Sequence, residues 1–319
     1  MGSLRLEAQP LTSMRLRLTD IMSFEISERC RMFFCVAGLN TEAIQRAVRL
    51  ALAEDVGTGD VTTLAAVPAS ARATASMRAR EALVVAGLTV TEAAFRELSA
   101  DVNCERKRED GQPVKAGETL LKLEGPAQAL LTAERVALNF VQRLSGIATL
   151  TSRFVEAVKG TGAQILDTRK TTPGWRNLEK YAVSCGGGRN HRIGLYDMVL
   201  LKDNHLAALR KEKPNAIAAA VARARERYPH LKIEVEADTL EQVAQAVNAG
   251  ADFVLLDNMS PAELKEGVAK CKGKCKTEAS GGVTLESVRA IAETGVDFIS
   301  VGALTHSAPA VDIGLDFEM

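Results

Sequence analysis

The chain has 319 residues, which is enough to bury a sizeable core in one large domain or two medium ones. Its 40 basic and 40 acidic residues cancel, which argues against long-range attraction to nucleic acid or to an anionic membrane surface. Aromatic residues make up only 4% of the chain, which argues against a surface on which bases stack, and no apolar run is long enough to predict a transmembrane helix.

The first 39 residues form an N-terminal extension to which the sequence assigns no function. Its arginines are mixed with Asp20, Glu25 and Glu28, which makes it a poor transit peptide, and it lacks the clean apolar region of a signal peptide. The six cysteines do not look like a disulfide framework in a chain of this length. We therefore expect a poorly ordered extension and a reducing, cytoplasmic setting, with organellar targeting by the extension left open.

Ordered structure is predicted to begin near residue 40. Asn40 or Thr41 can cap a first helix, whose apolar residues at helical spacing are Ile44, Val48 and Leu52. Four short β-rich runs follow: ATASMRARE, ALVVAGL, DVNCERKRE and GETLLKLEG. A long helical run over residues 131–153 comes next, and we expect it to join two domains.

From Gln164 the pattern changes to a repeat of strand, loop and helix. The apolar, strand-like runs are QIL, MVLL, KIEVE, FVLL, KTEA and VDFISV. Helix-length segments lie between most of them, for example TLEQVAQAVNAG, SPAELKEGVAKC and TLESVRAIAETG. This alternation predicts a parallel α/β sheet with right-handed crossovers.

Polar and glycine residues stand at the carboxyl ends of these strands. In chain order they are Asp167 to Lys170, Lys202 to His205, Glu236, Asp257 with Asn258, Ser280 to Gly282, and Gly302 with Ala303. A barrel of βα units builds its active site from such ends, and its last glycine-rich ends bind phosphate. The repeat section is short for eight βα units, so an incomplete or distorted barrel is predicted.

The stretch over residues 167–202 concentrates positive charge, with seven basic residues against three acidic ones. Two like charges 4 Å apart repel by about 4 kcal/mol at an effective dielectric constant of 20, so such a cluster suits a multiply anionic ligand. Arginines bind carboxylate or phosphate through two hydrogen bonds, and lysines act as point charges. Glu236 and Asp257, further along the same rim, suit ribose hydroxyls or Mg²⁺.

Each of these features also has a simpler interpretation. A basic loop is often only a solvated surface, a lone histidine such as His191 is more often structural than catalytic, and the triple glycine at Gly186 can be a flexible turn. Their occurrence together at successive strand ends favours a ligand site over these interpretations.

Several long motifs, in order, resemble those of the quinolinate phosphoribosyltransferases of the decarboxylating type, the nicotinate-nucleotide pyrophosphorylase family. They are EDVGTGDVTT, LLTAERVALNFVQRLSGIAT, DTRKTTPGWR, GGGRNHRIGLYDMVLLKDNH, VEADTLEQ, LLDN, EASGG and ETGVDFISVGALTHS. The resemblance covers nearly everything from about Asn40 to the C-terminus. It implies an N-terminal α/β sandwich over residues 40–145 and an incomplete, seven-stranded α/β barrel with a C-terminal tail over 146–319.

The resemblance also implies the reaction and its partners. Phosphoribosyl pyrophosphate and quinolinate would give nicotinate mononucleotide, pyrophosphate and CO₂ in de novo NAD biosynthesis, with Mg²⁺ as cofactor. A homodimer with shared active sites is implied, with higher oligomers left open, and neither nucleic acid nor membrane is an expected partner.

The roles that the resemblance implies fall on matching positions of this chain. Arg135 would reach quinolinate from the partner subunit. Quinolinate carboxylates would be bound by Arg169, His191 and Arg192. Lys170 and Lys202 would span both substrates, and Glu236 and Asp257 would face the ribose hydroxyls and the metal. The 5′-phosphate would lie on Ser280, Gly281 and Gly302. Trp175 stands where a smaller apolar residue is expected.

Three alternatives remain at this stage. A strand-end lysine such as Lys170 or Lys202 could form a Schiff base, as in class I aldolases, although the acidic pair and the glycines would then share no purpose. A protein that binds a polyanion without turnover is the second alternative. The third is a related transferase with another acceptor, against which Arg169, His191 and Arg192 favour the two carboxylates of quinolinate.

Overall fold

The computed structural model describes residues 39–318. The predicted N-terminal extension lies outside the described residues, apart from Leu39. The helices are α1 (Thr41–Val56), α2 (Val61–Ala66), α3 (Leu88–Leu98), α4 (Ala127–Ala157), α5 (Arg176–Cys185), α6 (Asp203–Ala208), α7 (Ala216–Arg227), α8 (Leu240–Asn248), α9 (Pro261–Cys271), α10 (Val288–Ala292) and α11 (Ala303–His306). The strands are β1 (Arg72–Ala79), β2 (Leu83–Val84), β3 (Asn103–Arg106), β4 (Pro113–Val114), β5 (Thr119–Pro126), β6 (Gln164–Leu166), β7 (Val199–Leu201), β8 (Ile233–Ala237), β9 (Phe253–Asp257), β10 (Lys276–Ser280), β11 (Phe298–Ser300) and β12 (Ile313–Glu318).

The first helix confirms its sequence pattern. Asn40 is the N-cap, because its side-chain oxygen accepts the N–H of Glu42 at 2.8 Å. The three residues at helical spacing are all buried: Ile44, Val48 and Leu52. α1 packs against α3 and α4, and α4 in turn contacts β1, β5 and β12 of the first sheet.

The first sheet has four antiparallel strands in the order β12-β1-β5-β3. β1 alternates as its sequence predicted, with Ala73, Ala75, Met77 and Ala79 buried in the core. Of the run ALVVAGL only β2 is a strand, since α3 begins at Leu88. The C-terminal strand β12 pairs with β1, so the last residues of the chain complete the sheet that its early residues begin.

The second sheet has six parallel strands in the order β6-β11-β10-β9-β8-β7. All six strand-like runs of the repeat section are confirmed, and helices connect most of the strands. Arg189 adds an isolated parallel bridge to Leu166 beside β6. The α/β fold with a parallel sheet is therefore present, whereas a closed barrel is not found in residues 39–318.

The two faces of the parallel sheet differ in composition. One face packs against the helices through aliphatic residues of the main core, for example Val254, Leu256 and Ile299. The other face carries Phe253 and Phe298, whose ring centroids lie 6.1 Å apart, together with charged side chains. The strand ends on this second face form the candidate site.

The long helix α4 contacts elements of both sheets. It contains the run predicted to be helical over 131–153, and the predicted boundary between residues 145 and 146 falls inside it. The division into domains at that boundary stays a prediction. None of the helices in the described part of the chain has the length and apolarity needed to cross a bilayer.

Candidate active site

The parallel sheet brings the predicted strand-end residues to one edge, because parallel strands all end in the same direction. Asp257 and Ser280 are register partners on β9 and β10. Lys202, which follows β7, forms an ion pair with Glu236 of β8. The Lys170 side chain, after β6, lies against Gly302, after β11. One rim therefore holds both predicted lysines, both predicted carboxylates and the glycines.

Arg169 and Arg192 form the basic side of the rim. Arg169 is half-buried, and its Nε is a buried donor without a hydrogen-bond partner among residues 39–318. Nη1 of Arg192 donates to the carbonyl of Met198 at 3.1 Å. Burial and then the charge on Arg169 lower the pKa of Arg192. An unpaired buried donor costs about 1–3 kcal/mol, so this pair of guanidiniums is arranged for an anion.

The acidic side of the rim consists of Glu236 and Asp257. The Glu236 side chain is 12% exposed and accepts from Lys202, while Oδ2 of Asp257 accepts from the side-chain amide of Asn258 at 2.7 Å. Both groups offer oxygen ligands at the ends of neighbouring strands. Mg²⁺ prefers oxygen ligands and is commonly held by one or two carboxylates together with substrate phosphates. This donor set therefore fits Mg²⁺.

Two glycines of the predicted phosphate cradle allow close approach of the backbone. Gly281 has a φ of +100°, and a Cβ there would lie 2.1 Å from Oδ1 of Asn258. A Cβ on Gly302 would lie 3.2 Å from Cδ of Lys170. Gly302 is the N-cap of the short helix α11, whereas α10 begins only at Val288. Of the helix-length segment TLESVRAIAETG, which follows the SGG sequence, only Val288–Ala292 is therefore α-helix.

A fully buried ion pair lies under the basic side. Lys180 of α5 donates to Asp167, whose two oxygens also accept from the His191 backbone N–H at 2.8 Å and the Asn190 amide at 2.7 Å. Lys180 also donates to the carbonyl of His191 at 3.0 Å. Burial raises the pKa of Asp167 and lowers that of Lys180, while the ion pair opposes both shifts. Lys180 thus belongs to the support of the rim, although the sequence analysis counted it among the seven basic residues of a cluster suited to an anionic ligand.

A second buried acid, Glu179 of α5, holds the loop after β6. Its carboxylate accepts from the backbone and hydroxyl of Thr172 at 3.0 and 2.8 Å, and from Arg143 of α4 at 3.1 Å. Arg143 in turn donates to the carbonyls of Thr305 and Ala308. The sequence analysis missed both residues, because their partners lie in other elements.

The side chain of His191 is engaged at both ring nitrogens. Nε2 lies 3.0 Å from Oε2 of Glu234 and 3.4 Å from Oε2 of Glu278, and Nδ1 accepts the Arg192 N–H at 2.7 Å. The role of His191 in carboxylate binding stays a prediction. The two acids could have been noticed from sequence, because they stand two residues before Glu236 and Ser280 and so share the site face of the sheet.

His191, Glu234 and Glu278 are close enough for their titrations to be coupled. Burial opposes charge on His191, but Glu278 and Glu234 outweigh it and raise the pKa of His191 to about 10. Burial and then Glu278 raise the pKa of Glu234 to about 7. Since Nδ1 accepts an N–H, a ring proton of His191 lies on Nε2, on the side of the two glutamates.

The remaining predicted residues lie on or beside helices. Arg135 is exposed on α4, where it is accessible to another chain. Trp175 immediately precedes α5, and its ring stacks on Phe140 of α4 with centroids 4.7 Å apart and an interplanar angle of 15°. This contact fixes the start of α5, and with it the loop that follows Lys170.

Comparisons with known proteins agree with this arrangement over nearly all of the described chain. The sequence model of the quinolinate phosphoribosyl transferase N-terminal domain matches residues 60–145, and that of the C-terminal domain matches residues 147–316. The probable nicotinate-nucleotide pyrophosphorylase (carboxylating) of Bacillus subtilis is 44% identical over 83% of this chain and 90% of its own length. The chloroplastic nicotinate-nucleotide pyrophosphorylase of Arabidopsis thaliana is 42% identical over 87% of this chain and 84% of its own length.

Solved structures show the same similarity in three dimensions. The nicotinate-nucleotide pyrophosphorylase from Francisella tularensis superimposes with a TM-score of 0.84 at 39% identity, covering 90% of this chain and all of that one. The sequence matches, the superposition and the rim of strand-end residues lead to one assignment: the chain belongs to the quinolinate phosphoribosyltransferase family.

Proposed function

We propose that the protein transfers the phosphoribosyl group of phosphoribosyl pyrophosphate to quinolinate and removes one carboxylate, giving nicotinate mononucleotide, pyrophosphate and CO₂ in NAD biosynthesis. The protein is thus a decarboxylating pentosyltransferase. The observation that supports this most directly is the rim itself. The guanidiniums of Arg169 and Arg192 lie on the same sheet edge as Glu236, Asp257 and a glycine cradle.

The basic side of the rim suits the acceptor. Quinolinate carries two carboxylates, and each guanidinium can bind one through two parallel hydrogen bonds. The buried Nε of Arg169, which has no partner in the described chain, is satisfied when a carboxylate binds. An acceptor with a single carboxylate would leave one guanidinium without an anion, so quinolinate is preferred to nicotinate.

Quinolinate and phosphoribosyl pyrophosphate are both anions and repel each other in water. The site promotes the reaction by holding the two side by side. The pyridine nitrogen forms a bond to the anomeric carbon, and the bond from that carbon to pyrophosphate breaks. Negative charge on Glu236 and Asp257 stabilises the positive charge that develops on the ribose. The alkylated nitrogen then draws electrons, the C2–carboxylate bond breaks to release CO₂, and the electron pair left on C2 takes up a proton.

Mg²⁺ is the proposed cofactor, held by Glu236 and Asp257. When bound it supplies positive charge that neutralises the departing pyrophosphate. Lys202 forms an ion pair with Glu236. Lys202 and Lys170, which lie on the same rim, can bind substrate phosphates because lysines act as point charges on flexible stems.

The assembly and setting are also proposals. We propose a homodimer in which the exposed Arg135 completes the partner's site, and an incomplete seven-stranded barrel in which the chain at Arg189 acts as the seventh strand beside β6. A cytoplasmic setting is proposed as well. The Arabidopsis relative is named as a chloroplastic protein. Organellar targeting by the N-terminal extension is therefore left open.

The deciding experiment incubates the full-length chain with quinolinate, phosphoribosyl pyrophosphate and Mg²⁺, and follows nicotinate mononucleotide and CO₂ together. Nicotinate serves as the matched acceptor with one carboxylate. We expect equal amounts of both products from quinolinate and little product from nicotinate. Product from nicotinate without CO₂ would instead identify a transferase with another acceptor, and no product from either would contradict the proposed function.

A further inference from the structure

Two buried glutamates on the site face of the parallel sheet have no role in the proposed reaction. Glu234 of β8 is 0% exposed and Glu278 of β10 is 1% exposed. Both converge on Nε2 of His191, at 3.0 Å from Glu234 and 3.4 Å from Glu278. Oε1 of Glu234 and both carboxylate oxygens of Glu278 have no hydrogen-bond partner within residues 39–318. Two carboxylates buried this deeply are costly, so their presence requires an explanation.

The other side of the imidazole faces the anion-binding residue. Nδ1 of His191 accepts the backbone N–H of Arg192 at 2.7 Å. A nitrogen that accepts an N–H carries no proton itself, so the ring proton of His191 is on Nε2, where it is donated to Glu234 while the Glu278 carboxylate lies 3.4 Å away. The glutamates thereby select one tautomer of His191, and that tautomer holds the backbone of Arg192.

The same three side chains could be considered as a metal site. Their ligand atoms all lie within 4.8 Å of one another. A cation would require the lone pair of His191 Nε2, yet that nitrogen carries the ring proton while Nδ1 is bare. Histidines that bind metals usually donate from their second nitrogen, which Nδ1 of His191 does not do. Hydrogen bonding therefore accounts for the geometry better than metal binding.

The segment around His191 is fixed from several directions. Its backbone N–H donates to Asp167 at 2.8 Å, and its carbonyl accepts from Lys180 at 3.0 Å. Its ring joins the glutamates to the N–H of the next residue, Arg192, whose guanidinium is additionally anchored to the carbonyl of Met198. Small errors in the placement of a binding group are costly, so such support has a function where an anion must be oriented.

We propose that Glu234 and Glu278 are positioning residues, which act through His191 to orient Arg192 toward a substrate carboxylate. This inference rests on the proposed function, because it assigns Arg192 to quinolinate. Both glutamates are fully buried, so the role proposed for them is indirect and passes through His191.

The test uses Glu234→Gln and Glu278→Gln in the full-length protein, which keep the side-chain shape and remove the charge. Glu92→Gln is the matched control, because Glu92 is also a buried carboxylate but pairs with Arg106 beside the other sheet. We expect each test variant to weaken quinolinate binding about 10-fold or more, by analogy with the loss of other supporting contacts. Binding of phosphoribosyl pyrophosphate should stay within about twofold and kcat should fall less than the KM for quinolinate rises.

Two further measurements separate positioning from general stability. In a double-mutant cycle, Arg192→Ala should remove most of the effect of Glu278→Gln, because both changes act on one contact. ¹⁵N NMR of histidine-labelled wild-type protein should show His191 with Nε2 protonated and Nδ1 bare, and Glu234→Gln should disturb that tautomer. The chain has only four histidines, which makes the assignment practicable.

Distinct results would overturn the inference. Unchanged quinolinate affinity in both variants, or a wild-type His191 protonated at Nδ1, would exclude positioning of Arg192 by the glutamates. Binding of one Mn²⁺ or Zn²⁺ by the wild type that Glu278→Gln abolishes would identify a metal site instead. Turnover of quinolinate by the wild type tests the proposed function separately, whereas the tautomer and metal measurements need no turnover.

Discussion

Arg169 has a buried Nε without a partner in the described part of the chain, next to a second guanidinium, Arg192. Such a pair is unfavourable until an anion binds, because each guanidinium is partly desolvated and repels the other. Both arginines could be identified from the sequence, because Arg169 lies in the DTRK motif and Arg192 in the GGGRNHR motif. Their mutual placement depends on Asp167 and Lys180, which hold the second segment beside the end of β6.

Replacing Arg169 by Ala should weaken quinolinate binding about 10- to 100-fold, since hydrogen bonds to a charged group contribute about 1.5–3 kcal/mol. Binding of phosphoribosyl pyrophosphate should persist. Arg169→Lys is the control, because it keeps the charge but loses the paired hydrogen bonds, and it should fall between the wild type and Arg169→Ala. Calorimetric titration of each substrate checks the prediction, and an unchanged quinolinate affinity would remove Arg169 from the site.

Gly281→Ala should impair the phosphate side of the site. A Cβ at this position meets Asn258 Oδ1 at 2.1 Å and the Asn258 backbone nitrogen at 2.9 Å, and the φ of +100° is strained for alanine. We expect about a 10-fold or greater loss of phosphoribosyl pyrophosphate affinity with quinolinate affinity retained. Gly282→Ala is the matched control, because a Cβ there has no atom within 4 Å. Equal affinities for the two variants would refute the cradle role of Gly281.

At the scale of elements, α4 connects the two sheets and passes close to the C-terminal segment. The sequence pattern predicted this helix, and the structure extends it at both ends to Ala127–Ala157. In contrast, α5 was not anticipated, because its basic residues suggested a loop. The helix is stabilised by contacts that are distant in sequence: Lys180 to Asp167, Glu179 to Arg143, and Trp175 on Phe140.

Gly146→Ala in α4 should destabilise the protein, although alanine normally favours a helix over glycine by about 1 kcal/mol. The added Cβ would lie 2.0 Å from the carbonyl oxygen of Pro309, which is backbone and cannot rotate away. We expect the free energy of unfolding to fall by about 1–3 kcal/mol. Gly267→Ala in α9 should cost less, because its Cβ meets only Leu256 side-chain atoms at 3.1 Å. Chemical unfolding compares the two variants, and a more stable Gly146→Ala protein would disprove the close packing.

The whole molecule raises the question of how many chains build one site. The rim supplies Arg169, Arg192 and the acidic pair from a single chain, whereas Arg135 is exposed on α4. A symmetric dimer could bring that arginine to the partner's rim in both directions at once. This arrangement predicts complementation between two variants that each impair a different residue of the shared site.

At a quinolinate concentration well below the wild-type KM, Arg135→Ala and Arg169→Ala should each show little activity alone and regain activity when their subunits are mixed after unfolding and refolding together. With random pairing, half of the dimers are mixed and each contains one intact site, so about a quarter of the wild-type activity is expected. Refolded wild-type protein and each variant refolded alone are the controls. Complete absence of activity in the mixture would show that each site is built within one chain.

The sequence by itself determined the α/β alternation, the strand ends and the residue types that stand on the rim, because these depend on local periodicity and on contiguous motifs. The tertiary structure alone decided which residues support them. Lys180 is buried with Asp167, the C-terminal strand β12 joins the first sheet, and Glu234 and Glu278 meet at His191. Each of these contacts joins segments that are apart in sequence, and pairing across such distances is set by how the elements pack and not by any local pattern.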